Sequence, residues 1–246
     1  MQKLLLMIQF LTRIPVPVSS RIDDKEFRDG IVFFPMVGLL IGMFVVSIYY
    51  IGYLLGGKFL ASVAAVSAEA FITGGLHLDG LGDTFDGVYS NRQKERVLEI
   101  MKDSRLGTNG ALAILFTVLL KIALIYNAPF PDSYPILLLM PVFSRLSIIF
   151  ASRFSRYARE NGLGNIFIGK IHNGHVIISV LWCCIFSLIY IWALAYLPIV
   201  FIFSLYYTKH ITNIIDGMTG DTLGALCEIS EVVYLIYFSI LLLIGR

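Results

Sequence analysis

The stretch GIVFFPMVGLLIGMFVVSIYYIGYLLGG, residues 30–57, contains no charged side chain. A helix that crosses a bilayer needs roughly 20 mostly apolar residues, so this run alone places the chain among membrane-spanning proteins. Similar runs lie on the C-terminal side. Phe59–Leu76 is apolar except for Glu69, Leu106–Tyr126 holds only Lys121, and Ser133–Ser152 holds only Arg145. Val176–Thr208 is uncharged and too long for one crossing; Pro198 divides it into two helices, the second running past Lys209. Ile229–Ile244 is shorter and carries Glu231. The expected fold is an all-α polytopic transmembrane bundle of about seven spans, or six if the last lies flat or re-enters. It forms a single integral membrane domain over residues 1–246.

The bulk composition agrees. Hydrophobic residues make up 57% of the chain and charged residues 15%, against roughly 25% charged in soluble domains. A formal net charge of +2 gives no footing for nucleic-acid binding. The cysteines, Cys183, Cys184 and Cys227, form no CxxC pair and read as buried or lipid-facing residues, without a disulfide or zinc site. Met1–Leu11 has one lysine before its apolar run but no small-residue cleavage site, which favours a retained interfacial or partly buried helix over a signal peptide.

Basic residues set the orientation. Arg13–Arg28 holds four lysines and arginines, Arg92–Arg105 five and Arg153–Lys170 four, while the alternate connections carry only Lys58. The positive-inside rule puts the three basic loops in the cytoplasm, and the polar material faces that side with them. Glu69, Lys121 and Arg145 within spans would each cost roughly 2.5–3.5 kcal/mol at mid-bilayer if unpaired. They are expected to face the bundle interior, with Glu69 paired to Lys121 or Arg145.

Four polar constellations carry candidate chemistry. The first is HLDGLGDTFDG, residues 77–87, directly after an apolar run. At 100° per residue, Asp79, Asp83 and Asp86 fall within one narrow helical stripe. Carboxylates so close repel and call for a counter-charge; grouped hard oxygen donors suit magnesium. Glycines 80, 82 and 87 permit close approach of a neighbouring backbone or a large substrate. The second is MKDSRLGTNG, residues 101–110. Asp103 is a further metal-ligand candidate, Lys102 and Arg105 are candidates for phosphate oxygens, and the glycines would present backbone N–H groups to an anion at the start of the next helix. The third is RFSRYARENGLGN, residues 153–165, where Arg156 and Arg159 share a helix face suited to a pyrophosphate or an anionic lipid surface. His172 and His175 follow and read as loop histidines. The fourth, residues 216–228, places Asp221 and Glu228 on one face if helical, in what otherwise reads as a glycine-rich break before the last span.

Taken in order, GGLHLDGLGDTFDG (74–87), EIMKDSRLGTNG (99–110), RYARENGLGN with FIGKI (156–171) and TGDTLGA (219–225) resemble the cobalamin synthase, or adenosylcobinamide-GDP ribazoletransferase, family. LTRIPVP (11–17) and FFPMVGLLIG (33–42) resemble it too, so the likeness spans essentially the whole chain. One departure is Asp216-Gly217, where the family often has Gly-Gly before x-Thr-Gly-Asp. That change makes Asp216 a poor candidate for a shared catalytic role.

The resemblance implies a multi-pass protein of the bacterial inner membrane that joins adenosylcobinamide-GDP to α-ribazole or its 5′-phosphate, releasing GMP, with magnesium as cofactor. Partners beyond the substrates and the bilayer would be further copies of the chain or other cobalamin-assembly enzymes. Combined with the residue chemistry, it assigns the metal to Asp79, Asp83, Asp86 and Asp103 and proton acceptance to Asp83 or Asp86. Lys102 and Arg105 would hold the pyrophosphate, with His77, Arg156, Arg159 and Asp221 as further substrate-binding candidates. Two other readings compete. CDP-alcohol phosphotransferases also begin their motif Asp-x-x-Asp-Gly, as in Asp83–Gly87, but their Ala-Arg pair is absent after it, where Val88-Tyr-Ser-Asn-Arg92 intervenes. A corrinoid transporter would line a pathway with buried charge across the membrane, whereas these acidic groups cluster at one edge.

Overall fold

The computed structural model describes residues 2–17 and 23–244. Arg21 of the first basic loop lies outside them. Among the described residues there are helices and no strands, with five helices long and apolar enough to cross a membrane. In chain order the α-helices are α1 (Gln2–Leu11), α2 (Asp24–Asp29), α3 (Phe34–Thr73), α4 (Leu76–Val88), α5 (Lys94–Ile100), α6 (Thr108–Asn127), α7 (Ser133–Arg153), α8 (Asn173–Phe186), α9 (Leu197–Ile215) and α10 (Gly220–Ile244).

Helix α3 is two arms. Its dihedrals leave the helical region at Gly56 and Gly57, the latter at φ +74°, a left-handed conformation open to glycine without steric cost. The chain reverses there, and the arms pack so closely that a Cβ on Gly52 would stand 2.9 Å from the Cα of Ala61. The uncharged run 30–57 and the Glu69-bearing run after it are therefore the two limbs of one hairpin.

Glycine also fixes the central crossing. Gly38 and Gly42, one turn apart on α3, face the backbone carbonyls of Pro141 and Leu138 on α7. A Cβ at either would collide with main-chain oxygen. Small residues at this spacing let helix backbones approach within a bilayer, where packing rather than hydrophobic exclusion drives association. Gly42→Leu is expected to lower stability by about 1–3 kcal/mol through overpacking. An unchanged unfolding midpoint in mild detergent would show that the helices do not cross at this point.

Two elements differ from the expectation. The break inside 176–208 falls at two 3₁₀ turns, Ser187–Ile189 and Ile191–Tyr196, while Pro198 sits in the first turn of α9. Its missing N–H and fixed φ suit a helix start. The final helix begins at Gly220 rather than near Ile229, because Thr219 and Thr222 cap it reciprocally: each backbone N–H donates to the other's hydroxyl, at 2.8 and 3.2 Å. The glycine-rich segment read as a break is thus helix, with Asp221 in its first turn. As for the N-terminal segment, α1 buries Leu6, Met7 and Leu11.

The ends of the bundle are unlike. At one end Arg13 reaches the carbonyl of Gly74, Lys94 pairs with Asp216, and Lys102 lies in a groove with Arg159. The three basic segments, in their described parts, converge there. At the other end Lys58 donates to the carbonyl of Ala128, and Tyr190 donates to Asp132 across the short connections.

Candidate active site

The acidic segment forms helix α4, which lies across the start of α10. The two approach through glycines. A Cβ on Gly80 would stand 2.7 Å from the carbonyl oxygen of Asp221, and one on Gly224 would meet the backbone of His77 at 3.3 Å. This contact carries Asp221 up to the carboxylates of α4. Asp79 and Asp221 line one cleft of about 300 Å³. Asp83, a turn further along α4, feels both: burial first, then the Asp221 and Asp79 charges, push its carboxyl up to about 7, with Arg159 opposing.

Arg159 reaches this group through a piece of backbone pairing. Met218 donates to the carbonyl of Arg156 at 2.8 Å, and Ala158 donates to the carbonyl of Met218 at 2.9 Å. Gly217 makes the approach feasible, since a Cβ there would collide with the Arg156 carbonyl. Beside it, Asp216 sits at φ +59°, a left-handed position that glycine fits best and aspartate tolerates. The pairing aligns 156–159 with 216–221 and sets the Arg159 guanidinium 2.9 Å from Asp221. Residues 156–159 are not helical, so the expected shared helix face of the two arginines does not form: Arg156 stays on the surface, its Nε donating to the carbonyl of Asp216 at 2.7 Å.

Other candidates are engaged differently. Both oxygens of Asp86 accept backbone N–H groups at the start of α6, from Gly107 at 2.6 Å and Gly110 at 2.8 Å. The helix N-terminus expected to receive a substrate anion is occupied by this chain's own carboxylate, a favourable partner for the N–H groups and the helix dipole. Asp103 is forked by Arg105, at 2.6 Å from Nη2. Those hydrogen bonds hold its carboxyl down at about 2, and the Arg105 side chain is 87% exposed. Lys102 is exposed, in a groove shared with Arg159 and Glu160. His77 lines the cleft but is buried; desolvation, then the nearby Arg145, push its imidazole down to about 3. It is neutral, with Nδ1 3.4 Å from Arg145 Nη2. Outside the site, His175 turns to Asp29.

Beneath the cleft lies a fully buried ionic cluster. Lys121 pairs with Glu231, with Glu228 at 2.7 Å and with Glu69 at 3.3 Å. Arg145 pairs with Glu231 at 2.6 Å and stands 3.5 Å from Glu69. Both Glu69 pairings expected from sequence occur, and two glutamates of α10 join them. Ser144 adds a hydrogen bond to Glu231 at 2.8 Å.

Three features of the site escaped sequence reading: Arg13, which lines an open groove of about 680 Å³ on the other side of Asp79, the role of Tyr157 in the backbone pairing, and the Arg159–Asp221 contact. The motif LTRIPVP was the available signal for Arg13.

Fold and site together define a polytopic helical membrane protein with an acidic, arginine-paired cleft at one end of the bundle. The chain belongs to the cobalamin-5-phosphate synthase family, whose model matches residues 3–239. It is 42% identical to the adenosylcobinamide-GDP ribazoletransferase of Clostridioides difficile (strain 630), covering 98% of each chain. It is 44% identical to the protein of that name from Alkaliphilus metalliredigens (strain QYMF), over 100% of this chain and 97% of the relative. The counterpart in Clostridium novyi (strain NT) is 42% identical over 96% of both. No solved structure matches the chain.

Proposed function

We propose that this chain transfers the cobinamide phosphate of adenosylcobinamide-GDP to α-ribazole or its 5′-phosphate, releasing GMP and giving adenosylcobalamin or its phosphate. The observation that carries this reading is the meeting of Asp79, Asp221 and Arg159 at one cleft, with Asp83 feeling the charge of all three, in a chain of this family. The ribazole hydroxyl oxygen forms a bond to the phosphorus nearer cobinamide. The P–O bond to GMP breaks, GMP departs with that electron pair, and the hydroxyl proton passes to a carboxylate. Such transfers depend on positioning and charge neutralisation more than on a protein nucleophile.

Asp83 suits proton acceptance, since a base works best with a pKa near the operating pH, whereas Asp86 already accepts two N–H bonds. Arg159 supplies fixed positive charge beside the carboxylates of the cleft, where the acceptor oxygen approaches the phosphorus, with Lys102 nearby. The donor set suits magnesium. Among the described residues no three acidic, His or Cys side chains converge to cage an ion; magnesium ordinarily takes one or two carboxylates and completes its shell with waters and substrate phosphates. Asp79 and Asp221 would hold it here, in place of the wider set that includes Asp86 and Asp103. When bound, it would supply neutralisation of the pyrophosphate and of the departing GMP.

Counting the arms of α3 separately and adding the apolar helical stretch Asn173–Ile189 makes seven candidate spans, which would cross the bacterial inner membrane. The basic end, with the cleft, faces the cytoplasm by the positive-inside rule. The deciding experiment incubates proteoliposomes with adenosylcobinamide-GDP and α-ribazole, with and without magnesium. GMP and adenosylcobalamin are expected only with the metal; absence of both products in every condition sinks the reading. Without metal, burial and the Asp221 and Asp79 charges push the Asp83 carboxyl up to about 7; magnesium on those two carboxylates would draw it down again. kcat/KM should therefore fall about tenfold per pH unit on the acid side of a midpoint that moves down as magnesium is raised, and a midpoint indifferent to magnesium would remove Asp83 from the role.

A further inference from the structure

The lining of the cleft is of two kinds. Asp79, Arg159 and Asp221 form one. Phe10, Phe34 and Phe167 form the other, with ring centroids 5.7–6.4 Å apart. An edge of this aromatic cluster and a charged group lining one cleft of about 300 Å³ match a small ligand with a flat apolar ring system at one end and hydroxyls at the other. The volume is at the small end of the range for ligand sites. The second cavity, about 680 Å³ and more open, is lined by Thr12, Arg13, Gly74 and Gly75. Asp79, Leu76 and Phe10 border both.

Resting on the transferase reading, we infer that the two substrates occupy separate seats that meet at Asp79. α-Ribazole lies in the cleft with its benzimidazole against Phe10, Phe34 and Phe167 and its ribose toward the carboxylates. Adenosylcobinamide-GDP, several times larger, lies in the open groove with its diphosphate near Arg13 and most of its bulk outside. Transfer requires the acceptor oxygen and the donor phosphorus to be held together, and the shared border at Asp79 is where the two seats allow it.

Gly220 gives a direct test. It lines the cleft, and a Cβ built on it meets nothing within 4 Å, so a larger side chain extends into the cleft rather than into the protein. In proteoliposomes, Gly220→Leu should raise the KM for α-ribazole by about tenfold and leave that for adenosylcobinamide-GDP within about twofold. Arg13→Ala should do the reverse. Gly220→Ala adds only a methyl group and guards against a misfolded leucine variant; it should raise the α-ribazole KM by about two- to threefold. Equilibrium dialysis of α-ribazole should show the same order of affinities. A Gly220 series that shifts the donor KM, shifts both equally, or shifts neither overturns the seating while wild-type turnover stands. Wild-type protein that releases no GMP overturns the transferase reading and the seating with it.

Discussion

Exchange of Lys121 for methionine is expected to destabilise the bundle by about 3–5 kcal/mol, the cost of leaving buried charge without its partner. Lys121 contacts Glu69, Glu228 and Glu231, and all four side chains are buried. Removing it leaves three carboxylates to Arg145 alone. Methionine fills similar volume, so lost packing is a minor part of the effect. The consequence reaches the site, because Glu228 and Glu231 fix α10, Arg145 approaches His77 of α4, and α4 and α10 carry the carboxylates of the cleft. Unfolding by denaturing detergent, followed by circular dichroism, should show the shift, and Lys121→Arg should retain most of the stability. The double variant Lys121→Met/Glu228→Gln removes one charge of each sign and should recover part of the loss. A Lys121→Met protein as stable as wild type would mean that the cluster does not hold the helices together.

Hydropathy showed the spans because each is long and nearly free of charge, and the charges inside them stood out against that background. Hence Glu69, Lys121 and Arg145 were legible as interior residues, and the stripe of Asp79, Asp83 and Asp86 as helical. Glu228 was not legible as their partner. Its segment is rich in glycine and polar residues, and the reciprocal Thr219–Thr222 cap that makes it helical is a local hydrogen-bond pattern to which apolar run length is blind. The N–H groups of Gly107 and Gly110 were legible as an anion site, but that Asp86 fills it depends on how α4 leans on α6. The Arg159–Asp221 pair joins distant segments through a short backbone pairing, which leaves no periodic trace. Close approach was readable from the glycines; the partner each approaches was a matter of tertiary structure.

Asp83→Asn is expected to lower kcat by about 10²–10⁴-fold with little change in either KM, since it removes a proton acceptor while preserving shape. Stability should move the other way. Without metal, Asp83 is held up at about 7 by burial and by the Asp221 and Asp79 charges, against an ordinary carboxyl value of 3.8. Its folded-state pKa exceeds the unfolded one, so its contribution to stability is most favourable below about pH 4 and is lost as pH rises to about 7. Above pH 7 the ionised side chain is a burden on the fold, and the neutral amide relieves it. At pH 8, Asp83→Asn should therefore unfold at the wild-type midpoint or above it while being almost inactive. Asp86→Asn provides the contrast. Its carboxylate accepts two N–H bonds at the start of α6, and weakening that cap should cost about 0.5–2 kcal/mol before any effect on chemistry. A paired measurement of turnover and unfolding separates the two aspartates that a helical projection places side by side. Full turnover of Asp83→Asn at saturating magnesium would mean that proton acceptance belongs to another group.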